Sequence, residues 1–97
     1  MPTVSTGIDF QDISSQVDVY PNPSEGLTTA KLTLTEATPV VISLYNTMGQ
    51  KVAERNYGVR SAGTQRLVFD SSELSAGVYM MHIEAGSAVA NKRLIKQ

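Results

Sequence analysis

From Val17 onward, apolar and polar residues alternate in short runs separated by glycine-bearing turns. Successive side chains on a strand point to opposite faces, so this alternation predicts half-buried strands. The first run is Val17 to Tyr20. The second, Thr29 to Leu34, puts Ala30, Leu32 and Leu34 on one face and Thr29, Lys31 and Thr33 on the other. The third, Val40 to Tyr45, aligns Val40, Ile42 and Leu44 and breaks at Asn46-Thr47-Met48-Gly49, with glycine where a hairpin needs positive φ. Gln50 to Tyr57 pairs back as the fourth, and Gly58 to Thr64 forms a looser loop. Leu67 and Phe69 mark a fifth strand, with Arg66, Val68 and Asp70 opposite. Ser71 to Gly77 reads as a connection with room for one helical turn capped by Ser71 or Ser72. Gly77 to Ala85 is the sixth run, with Tyr79, Met81 and Ile83 as its inner face. Gly86-Ser87 is a two-residue hairpin signal, and Ala88 to Lys96 returns as the seventh. No stretch repeats at helical period. Seven short strands at this spacing predict an all-β, antiparallel, immunoglobulin-like sandwich.

Two segments stand outside that rhythm. Met1 to Gln16 is rich in Ser, Thr, Asp and Gln, with scattered Val4, Ile8, Phe10 and Ile13, and reads as a linker or flexible arm before a domain over residues 17–97. At the end of the first run stands VYPNPSEG, Val19 to Gly26. Proline fixes its own φ, lacks an N–H and biases the residue before it toward extended geometry. Tyr20-Pro21-Asn22-Pro23 therefore reads as a stiff, extended stop to the strand. Ser24-Glu25-Gly26 supplies the turn, with Gly26 free to take positive φ.

Composition narrows the function classes. At 97 residues the chain makes one domain with one modest core, too small for a deep catalytic cavity. The net charge is −1, with 8 basic and 9 acidic side chains, which argues against nonspecific nucleic-acid binding. There is no cysteine, hence no disulfide framework and no thiolate metal site. The N-terminus has neither a basic start nor an apolar stretch of signal-peptide type. An export signal for such a chain would lie elsewhere, as in a piece of a longer protein.

Reactive groups are sparse. His82 is the single histidine, alternating with Val78, Met80 and Glu84 on the expected outer face of its strand. A lone strand histidine is a solvated or half-packed side chain far more often than a general base. Asp70, Ser71 and Ser72 are neighbours in sequence, which suits turn capping rather than a triad. Asp9, Asp12 and Asp18 match no calcium-loop spacing. The chain is expected to be no enzyme and to carry no cofactor. Lys92 and Arg93 fall on opposite faces of the last strand, where charges discourage edge-to-edge pairing. Tyr20, Tyr45, Tyr57 and Tyr79 offer aromatic surface for a sugar, although such tyrosines more often fill core edges.

Four segments in fixed order carry a resemblance: VYPNPSEG, ISLYNTMGQKV, SSELSAGVYMMHIEAG and the terminal ANKRLIKQ. Together they resemble the C-terminal sorting domain, type A form, of proteins exported by the type IX (Por) secretion system of Bacteroidota. The matching residues are Tyr20, Pro21, Asn22, Pro23 and Gly26; Tyr45, Asn46, Gly49 and Gln50; Leu74, Gly77 and Tyr79; and Lys92 to Lys96. Met80-Met81 stands where β-branched residues are more usual, a change that adaptable methionine packing tolerates. The resemblance covers Val17 to Gln97 and implies an export address at the end of a larger cargo protein. It implies periplasmic transit, recognition by type IX translocon and shuttle components, and delivery to the outer-membrane surface or the medium. In many members a sortase-like surface protease cuts on the N-terminal side of the domain; here the cut would fall in or before Met1–Gln16.

The recognition candidates are Tyr20, Pro21, Asn22, Pro23, Gly26, Gly49, Gly77, Tyr79, Lys92, Arg93, Leu94, Ile95 and Lys96. Exposed edge strands also allow a homodimer. Two other readings stay open: a surface adhesion or carbohydrate-binding module using Gly58–Thr64 and the tyrosines, and a sorting-like domain retained to bind an envelope partner or to signal.

Overall fold

The computed structural model describes residues 11–23 and 25–97. Eight strands run in chain order: β1 (Gln11–Asp12), β2 (Asp18–Tyr20), β3 (Leu27–Leu34), β4 (Thr38–Tyr45), β5 (Lys51–Arg60), β6 (Gly63–Asp70), β7 (Gly77–Ala85) and β8 (Ala88–Lys96). They form two sheets, one ordered β1-β8-β7-β4-β5 and the other β2-β3-β6. The all-β expectation holds, but the count is eight rather than seven, and β1 runs parallel to β8. β5 pairs with β4 rather than β6, and with β1 added at its edge the larger sheet has five strands to the smaller one's three.

The alternating positions become the core. Ala30, Leu32 and Leu34 of β3, Val40, Ile42 and Leu44 of β4, Leu67 and Phe69 of β6, Tyr79, Met81 and Ile83 of β7, and Ala90 and Leu94 of β8 are all buried. Each large aliphatic side chain removed from water contributes roughly 1.5–3 kcal/mol. The small sheet closes over the large one at both edges. On one side Tyr57 of β5 donates its hydroxyl to the Val68 carbonyl of β6 at 2.6 Å. On the other, Asn22 in the bend after β2 hydrogen-bonds to Arg93 and Ile95 of β8.

Three local expectations are corrected. Residues 58–60 belong to β5 and 63–64 to β6, so the expected loop reduces to Ser61-Ala62. Residues 71–76 turn without helix, held by the Leu74 N–H on the Ser71 carbonyl at 3.0 Å. Residues 11–16, assigned from sequence to the arm, hold β1 and a 3-10 turn at Ser14–Gln16. Ile13 enters the core at 7% exposure, and the packed fold therefore begins before residue 17. The rest of that arm, including Asp9, lies outside the described residues.

Candidate functional site

The two ends of the sandwich differ in what they collect. β2, β4, β6 and β8 finish at one end, where β3, β5 and β7 begin; the register sets Tyr45 opposite Met80, Met80 opposite Arg93, and Gly77 opposite Lys96. That end, the distal pole, therefore carries the bend at 21–23 with Gly26, the 46–50 turn, the 71–76 connection and the last residues of β8. These are the four segments singled out in sequence. The opposite, proximal pole holds residues 11–17, the 35–37 connection, Ser61-Ala62 and the Gly86-Ser87 turn.

Asn22 joins the first segment to the last. Its Nδ2 donates to the Arg93 carbonyl at 2.8 Å, and its Oδ1 accepts from the Ile95 N–H at 3.0 Å. Both backbone groups face away from β7, on the open edge of β8. One carboxamide thus makes the donor-acceptor pair that a neighbouring strand would make. Pro21 and Pro23 leave Asn22 flanked by residues without N–H groups, in a segment that bends where an extended run was expected. Both X-Pro bonds are cis.

The other segments are pinned locally. The Asn46 Oδ1 accepts from the Met48 and Gln50 N–H groups at 2.9 and 3.0 Å, an Asx-type turn. Gly49 in that turn takes φ 83°, as the hairpin pattern required. The Tyr79 hydroxyl donates to the Ser75 carbonyl at 2.6 Å, tying the 71–76 connection to β7. Gly26 does not take the positive φ expected of it; a Cβ there would stand 3.4 Å from the Ser72 Cβ, so it serves a close approach. Its carbonyl receives both the Ser71 N–H and Ser71 Oγ at 2.9 Å.

The thirteen candidates divide by exposure. Tyr20, Pro21, Asn22, Pro23, Gly49, Gly77 and Arg93 are exposed; Gly26, Lys92 and Ile95 are half-buried; Tyr79, Leu94 and Lys96 are buried. Lys92 lies on the inner row of β8, paired with buried Met81, and Lys96 turns its Nζ onto the Gln97 carbonyl at 3.0 Å. Of the basic trio only Arg93 faces fully outward, and its guanidinium has no ion-pair partner among the described residues.

Beside Arg93 the distal pole holds a recess of about 220 Å³ lined by Asn46, Thr47, Val78, Tyr79, Met80 and Arg93. Val78 and Met80 are 44% and 42% exposed there. Neither residue is among the thirteen candidates read from the sequence. The signal was present as apolar residues on the solvent phase of β7. The chemistry offered is an apolar floor with a guanidinium at its rim.

The remaining reactive groups have local partners. His82 Nδ1 meets Asn91 Oδ1 at 2.8 Å across β7 and β8. The Ser72 side chain and then its N–H hold the Asp70 carboxyl below the usual carboxylate range, and the Ser14 hydroxyl and then its N–H do the same for Asp12. No set of three metal-ligating side chains gathers among the described residues. Tyr57 and Tyr79 use their hydroxyls on backbone carbonyls of the fold, while Tyr20 is exposed.

A family model described as the secretion system C-terminal sorting domain matches residues 18–97. No curated protein gives a significant match.

Proposed function

The chain belongs to the type IX secretion C-terminal sorting-domain family, and we propose that its distal pole is the address that the export machinery reads. The observation behind this reading is the convergence of all four motif segments on that pole, with Asn22 binding the first to the last. Beside that junction the pole presents the exposed Arg93 next to exposed Val78 and Met80. Such a surface suits a partner with an apolar side chain next to an acidic group, because the apolar floor gives affinity and the charge fixes register.

On this account the domain is non-catalytic and rides at the end of a larger cargo protein. It passes through the periplasm, engages type IX components and reaches the cell surface or medium of a Bacteroidota bacterium. A surface protease then cuts on its N-terminal side.

The test is a reporter carrying a signal peptide and followed by the full 97-residue chain, expressed in a bacterium with the type IX system. Surface or medium delivery is expected with the chain, and periplasmic retention without it. Retention of both would refute the sorting role.

A further inference from the structure

The family model begins at residue 18, yet the folded structure begins earlier. β1 lies parallel to β8, with Gln11 beside Ala88 and Asp12 beside Val89. The Gln11 N–H donates to the Ser87 carbonyl at 2.9 Å and the Ile13 N–H to the Val89 carbonyl at 2.8 Å. One step further the backbone leaves the edge, and the Ser14 hydroxyl takes its place, accepting from the Asn91 N–H at 2.8 Å. The outer edge of the terminal strand is therefore occupied from Ser87 to Asn91 by residues 11–14, and at Arg93 and Ile95 by Asn22. Between these two occupants, the Asn91 carbonyl and the Arg93 N–H have no partner among the described residues.

The hold of residues 11–14 is slight. The ladder is two residues long, Gln11 and Asp12 are exposed, and one contact is a side chain standing in for backbone. Ile13 is the single apolar anchor of residues 11–14. Beside its seat a cavity of about 110 Å³ remains, lined by Gln11, Leu34, Thr38, Ala85 and Ala88 among others. An extended segment laid along the edge from Ser87 to Arg93, short of the Asn22 clamp, would replace the bonds the resident makes with main-chain ones and would also pair the Asn91 carbonyl and the Arg93 N–H. Main-chain pairing of this kind supplies affinity, and pockets for alternate side chains supply selectivity.

We propose that the outer edge of β8 is a strand-addition site, that residues 11–14 are its displaceable resident strap, and that the fitting partner is an extended segment of the transport machinery with a branched apolar residue for the Ile13 seat. This rests on the sorting role and names how the domain is gripped. It also places the strap in the stretch joining the domain to whatever precedes it, so the grip on the terminal strand and the path of the cargo meet at one edge.

Because the chain has no cysteine, Gln11→Cys/Ala88→Cys gives a strap that oxidation locks and reduction frees. In the reporter fusion, each single variant is exported like the parent, and the oxidised double variant falls at least about tenfold, a change of about 1.4 kcal/mol in an equilibrium. Full export of the oxidised double variant, with the cross-link verified, overturns the strap proposal and leaves the sorting role standing. Failure of parent and singles alike removes the sorting role and the partner claim with it. A second readout needs no variant. In the intact chain, the Ile13 and Asn91 amides exchange hydrogen at least about tenfold faster than those of Ile42 and Ile83, as expected of a separately opening segment. Equal rates overturn the displaceable strap.

Discussion

Asn22 shows how one exposed side chain holds a motif together. Its carboxamide donates to Arg93 and accepts from Ile95, so both halves of the group are used. Asn22→Ala loses two solvent-exposed hydrogen bonds, a cost of about 1–2 kcal/mol. It also frees the Ile95 amide, whose hydrogen exchange is expected to quicken while the β4 amides stay protected. Asn22→Asp should do worse at neutral pH than at low pH, because a carboxylate presents oxygen to the Arg93 carbonyl while the protonated acid can donate to it. Thermal denaturation of the two variants at both pH values checks this. Sequence analysis placed Asn22 among the recognition candidates but had no means of seeing its partners, which lie 71 and 73 positions away. The same blindness affected Lys92 and Lys96: alternation separated Lys92 from Arg93, yet nothing local said that the face of Lys92 was the inner one.

At the scale of elements, the alternating runs of β3, β4, β6, β7 and β8 were legible because each buries one face against the opposite sheet. β5 was shortened in the sequence reading because Gly58 suggests a loop, whereas pairing with β4 carries the strand on to Arg60. β1 was invisible for a different reason. Two polar residues show no period, and parallel pairing with a strand 77 positions away leaves no local trace. Its weakness makes a pH prediction. The Asn91 N–H donates to the Ser14 hydroxyl, which donates to the Asp12 carboxylate. Bonding to that hydroxyl, and then to the Ser14 N–H, lowers the Asp12 pKa. A depressed carboxyl contributes its stabilisation above the ordinary carboxylate range and loses it as pH falls through the lowered value. Acidification below about pH 4, the ordinary Asp value, should therefore loosen the strap before the core opens. After correction for the intrinsic pH dependence of exchange, Asn91 should lose protection first. Asp12→Asn should show the loosened strap already at neutral pH.

For the whole molecule, the order of the fold explains why four short motifs scattered over most of the chain meet at one end. Antiparallel strands bring every second connection to the same end, and here those from β2 to β3, β4 to β5 and β6 to β7 share that end with the last residues of β8. The proximal pole takes the entering chain instead. Along β8, the strap at Val89 and the clamp at Ile95 are six residues apart, about 20 Å at the usual rise per strand residue. One terminal strand thus links the side that receives the cargo connection to the side proposed to be read. The central claim is that export depends on the distal pole, and matched surface changes at the two poles test it directly. Met80→Ser/Arg93→Glu alters the recess, while Val59→Ser/Glu36→Lys alters exposed residues at the proximal pole, with folding of both confirmed by thermal denaturation. Reporter delivery is predicted to collapse for the distal pair and persist for the proximal pair. Undiminished delivery by the folded distal variant would contradict the account.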